Sequence, residues 1–233
     1  MRFAALDTST EWCSVALWRD GEIAGAERRA GNRHSELALP MLQQVLNRFQ
    51  VTPEELDAVA FGAGPGSFTG LRIACGIAQG LAFPRGIPVL GVSTLEALAE
   101  ESGAARVLAC IDARMREVYY AALQRAERGA WREIIAARCA APASVEVPPG
   151  DWIGAGNGFA VYGNLGLKRV LPEVHPTAMI AIDVSALPGV GVGTPVTLWG
   201  EGLSADELGA AAGTLSYELF TKLTARVPIL EVS

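Results

Sequence analysis

Lysine is nearly missing from this 233-residue chain: Lys168 and Lys222 stand against 17 arginines. A Schiff-base lysine, or the lysine of a phosphate loop, has only those two candidates. Histidine is as scarce. His34 and His175 are isolated, with no H-x-x-x-H pair and no Cys/His cluster, so no metal site is expected. The four cysteines, Cys13, Cys75, Cys110 and Cys139, contain no C-x-x-C pair. In a chain this long they read as buried, reduced thiols of a cytosolic protein, not as a disulfide framework. No apolar run approaches the roughly 20 residues of a membrane span, and Asp7 interrupts what would be a signal-peptide core. A soluble, cytoplasmic protein without membrane contact is expected. Charged residues are only 19% and aromatics 7%, which argues against a charge-rich disordered segment and an aromatic-rich binding sheet. The net charge of -6 opposes a grip on nucleic acid by bulk electrostatics. If nucleic acid takes part, another subunit should supply most phosphate contacts.

What is present is apolar residue, half of the chain, in clear periods. Phe3 to Leu6, Cys13 to Trp18 and Glu22 to Arg29 read as strands, the last two joined by Asp20-Gly21, a hairpin signal. Ala38, Met41, Leu42, Val45, Leu46 and Phe49 recur at helical spacing from Ser35, which could cap that helix, with Pro40 near its first turn or bending it. Ala58 to Phe61 is a buried strand, Leu71 to Phe83 a helix and Pro88 to Val92 a strand. Ser93-Thr94-Leu95-Glu96 is a capping box opening a helix to about Glu101. Arg106 to Ile111, Glu117 to Leu123, Trp131 to Ala137 and Trp152 to Gly156 form a second strand-rich series around a proline-rich loop. This order predicts an α/β protein with mixed sheets, in which two similar lobes are conceivable.

Two loops invite chemistry. Gly62-Ala63-Gly64-Pro65-Gly66-Ser67-Phe68-Thr69-Gly70 lies between a strand and a helix. It could let backbone N–H groups approach an anion. It could equally be a tight turn in which Ser67 or Thr69 caps the helix. It is not a P-loop, because no lysine follows, nor a dinucleotide fingerprint, because Pro65 interrupts it. Asp7-Thr8-Ser9-Thr10 follows the first strand where nucleotide-binding folds carry D-x-G-x-T. Ser9 replaces the glycine, so a structural Asp turn is preferred over a phosphate site. His34-Ser35-Glu36 could suggest a nucleophile constellation, but no oxyanion hole or G-x-S-x-G elbow accompanies it; a polar helix start is the better reading. In the helix from Leu71, the small residues Ala74, Gly76, Ala78 and Gly80 suit close helix packing, in the core or against a partner.

The stretches A-L-D-T-S-T-E-W-C-S-V-A-L, R-H-S-E-L-A-L-P-M-L, G-A-G-P-G-S-F-T-G-L-R-I-A, L-A-C-I-D-A-R-M-R-E-V-Y-Y and G-A-G-N-G-F carry a resemblance. Over residues 1–178 the chain resembles the TsaB family, partner subunits of the machinery making N6-threonylcarbamoyladenosine in tRNA. The resemblance implies an actin/Hsp70-like (ASKHA) two-lobed fold with mixed sheets and flanking helices. It places an N-terminal lobe at 1–102 and an incomplete second lobe at 103–178. It implies a subunit with no catalysis or cofactor of its own that pairs with and scaffolds TsaD, with TsaE joining and tRNA reached only through the complex. A homodimer is a further expectation, and ATP or ADP is expected only at the interface with the partner. The pairing surface it implies comprises Ser35, Leu37, Met41, Leu42 and Val45 on one helix, and Leu71, Ile73, Ala74, Gly76, Ile77 and Gly80 on the other. Asp7, Thr8, Ser9 and Thr10 become a degraded phosphate site; Gly62, Gly64, Pro65, Gly66, Ser67, Thr69 and Gly70 are the family signature. An ATP-binding enzyme of the sugar-kinase/actin type, with Asp7 and Thr10 at phosphate, is the alternative.

Residues 179–233 instead resemble the C-terminal end of alanine racemase. Met179 to Val184 and Pro195 to Trp199 read as strands. Ser204-Ala205-Asp206-Glu207 is a capping box, and Ser216 to Ala225 a helix, as in a β-plus-helix fragment of the racemase β-domain. A racemase-related activity is a remote alternative, because neither Lys168 nor Lys222 lies in a matching context for pyridoxal phosphate.

Overall fold

The computed structural model describes residues 1–126 and 130–179. The chain divides into two units, Met1–Thr194 and Pro195–Ser233, and all described residues belong to the first. The strands and helices expected beyond residue 179 lie outside the described residues.

The first sheet grows from β1 (Arg2–Asp7), β2 (Trp12–Arg19) and β3 (Glu22–Arg29), an antiparallel meander. Asp20 and Gly21, both at positive φ (50° and 95°), make the turn that their sequence announces. After helix α1 (His34–Arg48), β4 (Ala58–Gly64) joins β1 in parallel; after helix α2 (Phe68–Ala82), β5 (Val89–Ser93) joins β4 in parallel. The strand order is β3-β2-β1-β4-β5. Helix α3 (Thr94–Glu101) follows, its Ser93 hydroxyl accepting from Glu96 N at 3.4 Å, one of the two bonds of the expected capping box.

The second sheet repeats the scheme. β6 (Arg106–Arg114), β7 (Glu117–Arg125) and β8 (Trp131–Ala140) form the meander. β9 (Ile153–Ala155), helix α4 (Gly158–Tyr162) and β10 (Arg169–Leu171) add the parallel edge, giving the order β8-β7-β6-β9-β10. The two lobes thus share one topology, and the second is abbreviated. A proline-containing loop replaces the α1 equivalent, and α4, β9 and β10 have three to five residues each.

On one face of the first sheet, Ala38, Met41, Leu42, Val45 and Leu46 of α1 and Ala74 and Ala78 of α2 pack on Leu6, Val15, Leu17, Val59 and Phe61. On the other face Ala5, Ala16, Ala60 and Val92 meet Ala97 of α3 and Ala178. The other side of α3 turns Leu95, Leu98 and Ala99 to Val107, Ala109 and Leu123 of the second sheet. One short helix therefore fills the space between the lobes. Residues 175–179 return to the first sheet, where Ala178 N donates to Ser14 Oγ at 3.0 Å.

Several boundaries differ from the periodicity reading; β8, for one, runs on to Ala140. α1 starts at His34 with Arg33 at its N-cap and no side-chain cap, so Ser35 lies inside the helix, exposed, and caps nothing. Pro40 is likewise internal, on the exposed side. β4 and α2 each reach into the glycine-rich string, because Gly62 and Gly64 still pair with Val92 and Ser93, and Ser67 opens the helix.

Candidate functional site

The two loops singled out by sequence lie on each other. Ser67 N donates to the Ser9 carbonyl at 2.6 Å, and Thr8 Oγ1 donates to the Gly70 carbonyl at 2.7 Å. Asp7 Oδ1 accepts both Ser9 N–H (2.9 Å) and Ser9 Oγ–H (2.7 Å). The glycines allow this approach. A Cβ on Gly62 would strike the Asp7 carboxylate, on Gly66 the Ser9 carbonyl, and on Gly70 the Thr8 carbonyl. Gly64 has a φ of 105°, a region side chains avoid. Ser67 Oγ accepts from Gly70 N at 3.3 Å, so Ser67, not the exposed Thr69, caps α2. Of the two readings of the string, the tight turn is the one the geometry supports. Asp7, Thr8, Ser9 and Thr10 are all buried, and their groups bond to their own chain. Burial raises the Asp7 carboxyl above its ordinary value, against the lowering effect of the Ser9 hydrogen bonds and of His34 and His175.

A small cleft of about 30 Å³ lies between the lobes, lined by Thr10, Glu11, Trp12, Ile111, Gly156, Asn157 and His175. It is bridged. Asn157 Nδ2 donates to Glu11 Oε2 at 2.9 Å, while Asp112 N donates to Asn157 Oδ1 at 3.0 Å and so orients the amide. Tyr162 adds a 3.2 Å bond to Asp112. Sequence reasoning assigned Glu11 and Asn157 no role; the asparagine within G-A-G-N-G-F was the available signal. His175 stacks on Trp12 (centroids 4.1 Å apart) and lies 3.3 Å from the Glu27 carboxylate. His34 is buried as the first residue of α1, its Nε2 3.3 Å from the Trp12 carbonyl. Among the described residues no group of His, Cys, Asp and Glu is arranged to hold a metal ion.

The third candidate is the outer surface of α1 and α2. The expected pairing residues divide. Met41, Leu42, Val45 and Ala74 are buried in the protein's own core, so their side chains offer nothing to a partner. Leu37, Leu71, Ile73 and Ile77 are half-buried, and Ser35, Gly76 and Gly80 are exposed. α2 carries two stripes at four-residue spacing. Gly70, Ala74, Ala78 and Ala82 face inward; Phe68, Arg72, Gly76 and Gly80 face outward. Phe68 (42% exposed), Phe83 (72%) just past the helix, and Leu39 (51%) on α1 add apolar area to an outer surface that also exposes Glu36, Gln43, Arg72 and Gln79. A Cβ added at Gly76 or Gly80 meets no atom within 4 Å.

Comparison with known proteins locates this geometry. The family model described as TsaD, tRNA N6-adenosine threonylcarbamoyltransferase, matches residues 28–162. The tRNA threonylcarbamoyladenosine biosynthesis protein TsaB of Escherichia coli (strain K12) is 43% identical over 179 residues, 73% of this chain and 78% of that protein. The solved structure of YeaZ from Pseudomonas aeruginosa superposes with a TM-score of 0.73 at 40% identity, covering 79% of this chain and 90% of that one. The duplicated sheets are accordingly those of an actin/Hsp70-like two-lobed fold. The model described as alanine racemase, C-terminal domain, matches residues 177–230. The biosynthetic alanine racemase of Pseudomonas aeruginosa is 62% identical over 63 residues, which are 27% of this chain and 18% of that enzyme.

Proposed function

The chain belongs to the TsaB family, and from that premise we propose that it serves tRNA threonylcarbamoyladenosine biosynthesis as a non-catalytic subunit that pairs with TsaD through the outer surface of α1 and α2. One observation carries this reading. Gly76 and Gly80 sit in the interior of an exposed helix, where each costs about 1 kcal/mol relative to alanine. Neither has a positive φ or a close neighbour to require it. Among the described residues no intramolecular reason is found, and a helix from another protein approaching the flat surface between Phe68 and Phe83 supplies one. The match of a TsaD family model to both lobes supports a pairing of two like folds.

The bonded, buried 7–10 turn and the bridged cleft support the absence of independent nucleotide chemistry in this subunit. TsaE joins the pair, tRNA is bound by the assembly, and the complex works in the cytoplasm. No described helix is long and apolar enough to cross a membrane. The racemase-like segment brings no racemase chemistry to this reading. Lys168 is almost fully exposed, 4.0 Å from an equally exposed Asp151, and so lacks the desolvation that activates a cofactor lysine. Lys222 lies outside the described residues. The test is co-purification of the full chain with TsaD and TsaE, followed by assay of threonylcarbamoyladenosine in tRNA. Omission of the chain should abolish modification; undiminished modification without it overturns the proposal.

A further inference from the structure

The outward stripe of α2 contains one charge. Arg72 is the only charged residue in the 15-residue helix, and it is exposed. Its guanidinium carbon lies 3.6 Å from the centroid of the Phe68 ring, one turn earlier on the same stripe. Stacking fixes the plane of the guanidinium and leaves its edge N–H donors pointing away from the ring. Among the described residues no carboxylate pairs with it. Gly76 and Gly80 continue the stripe, so a helix lying against the glycines passes directly over Arg72.

Resting on the pairing surface proposed above, we propose that Arg72 is its specificity determinant, held by Phe68 to receive an aspartate or glutamate from the partner's facing helix. A guanidinium covered by an apolar partner would lose its water and gain nothing, a heavy penalty for an unpaired charge. A carboxylate opposite removes that penalty and satisfies two donors at once. The field favours the same answer. Arg72 stands in the second turn of α2, close to the positive end of the helix dipole, and the first turn contains no acidic residue to offset it. The occupant is therefore a helix that sets an acidic residue opposite Arg72; in a pairing of α2 with a second α2, α2 itself supplies none.

The test is calorimetric titration of the full chain with TsaD, using wild type, R72E, R72A and G76L, each shown to be folded by a cooperative thermal melt. We expect G76L to abolish binding and R72E to weaken it at least about tenfold, with R72A in between. The R72E loss should shrink as salt rises. Reversal to arginine of one acidic residue on TsaD's facing helix should weaken wild type and restore R72E. Binding of R72E within twofold of wild type, while G76L fails to bind, overturns the role of Arg72 and leaves the pairing surface standing. A loss that no acidic reversal restores also overturns it. So does unchanged subunit pairing with a loss of tRNA binding, which would assign Arg72 to a phosphate. Failure of wild type to bind TsaD overturns the parent reading and this one together.

Discussion

Gly70 and Asp7 show how much of the first lobe's tip depends on single atoms. Gly70 is the helix position where the backbone of the 7–10 turn presses closest, and any Cβ there collides with the Thr8 carbonyl. Gly70→Ala should destabilise the protein by about 3 kcal/mol or more, or prevent folding, since the obstacle is backbone and cannot rotate away. Thr69→Ala, one residue earlier and exposed, should change stability by less than about 0.5 kcal/mol. Urea unfolding of the two variants checks the contrast. Asp7 predicts a pH dependence. Its native carboxyl holds its proton above the ordinary 3.8, because burial outweighs the Ser9 bonds. Between that value and the raised native one, the folded state binds more protons than the unfolded state, so this group's contribution to stability falls as pH rises. Asp7→Asn, which keeps an acceptor for Ser9, should lose that slope. The difference between wild type and variant should favour wild type most near pH 4 and shift toward the variant by pH 7; parallel profiles would contradict the assignment. The sequence showed that both loops were unusual. It could not show that each was the other's partner, because that contact spans about sixty residues.

At the scale of elements, α2 was legible as a helix with small residues at four-residue spacing, yet its orientation was not. Apart from Phe68 and Arg72 both stripes are small, so hydrophobic periodicity only weakly distinguishes the side packed on the sheet from the side left open; burial of Ala74 and exposure of Gly76 settle it. On α1, where large and polar residues alternate at helical spacing, the inward face was readable, but its assignment to a partner was not, since Met41, Leu42 and Val45 serve the core. β9, α4 and β10 are too short for any period to register; β9 is made regular by pairing with β6, and β10 by pairing with β9. The open glycines make a distinctive prediction. Gly76→Ala with Gly80→Ala should stabilise the isolated chain, by about 1 kcal/mol per site, through helix propensity alone. The same pair should weaken binding to TsaD. Thermal melts and titrations on one preparation test both halves; loss of stability would mean the glycines answer to a constraint within the chain.

For the whole molecule, the repeated strand order explains why the element order left two similar lobes conceivable without establishing them: topology is shared, and helix lengths are not. The lobes meet at α3 and at the Glu11–Asn157 bond. Asn157→Asp would set a second carboxylate against Glu11 at hydrogen-bond distance, and should destabilise the protein by about 1–3 kcal/mol at pH 7. The loss should diminish toward pH 4 as either acid takes a proton; a pH-independent loss would mean that only packing was disturbed. The claim on which the functional account rests is that the outer surface of α2 belongs to another protein. Size-exclusion chromatography of the full chain mixed with TsaD, comparing wild type with the folded Gly76→Leu, Gly80→Leu double variant, tests it most directly. The account predicts co-elution for wild type and separate peaks for the variant; co-elution of both, or of neither, would contradict it.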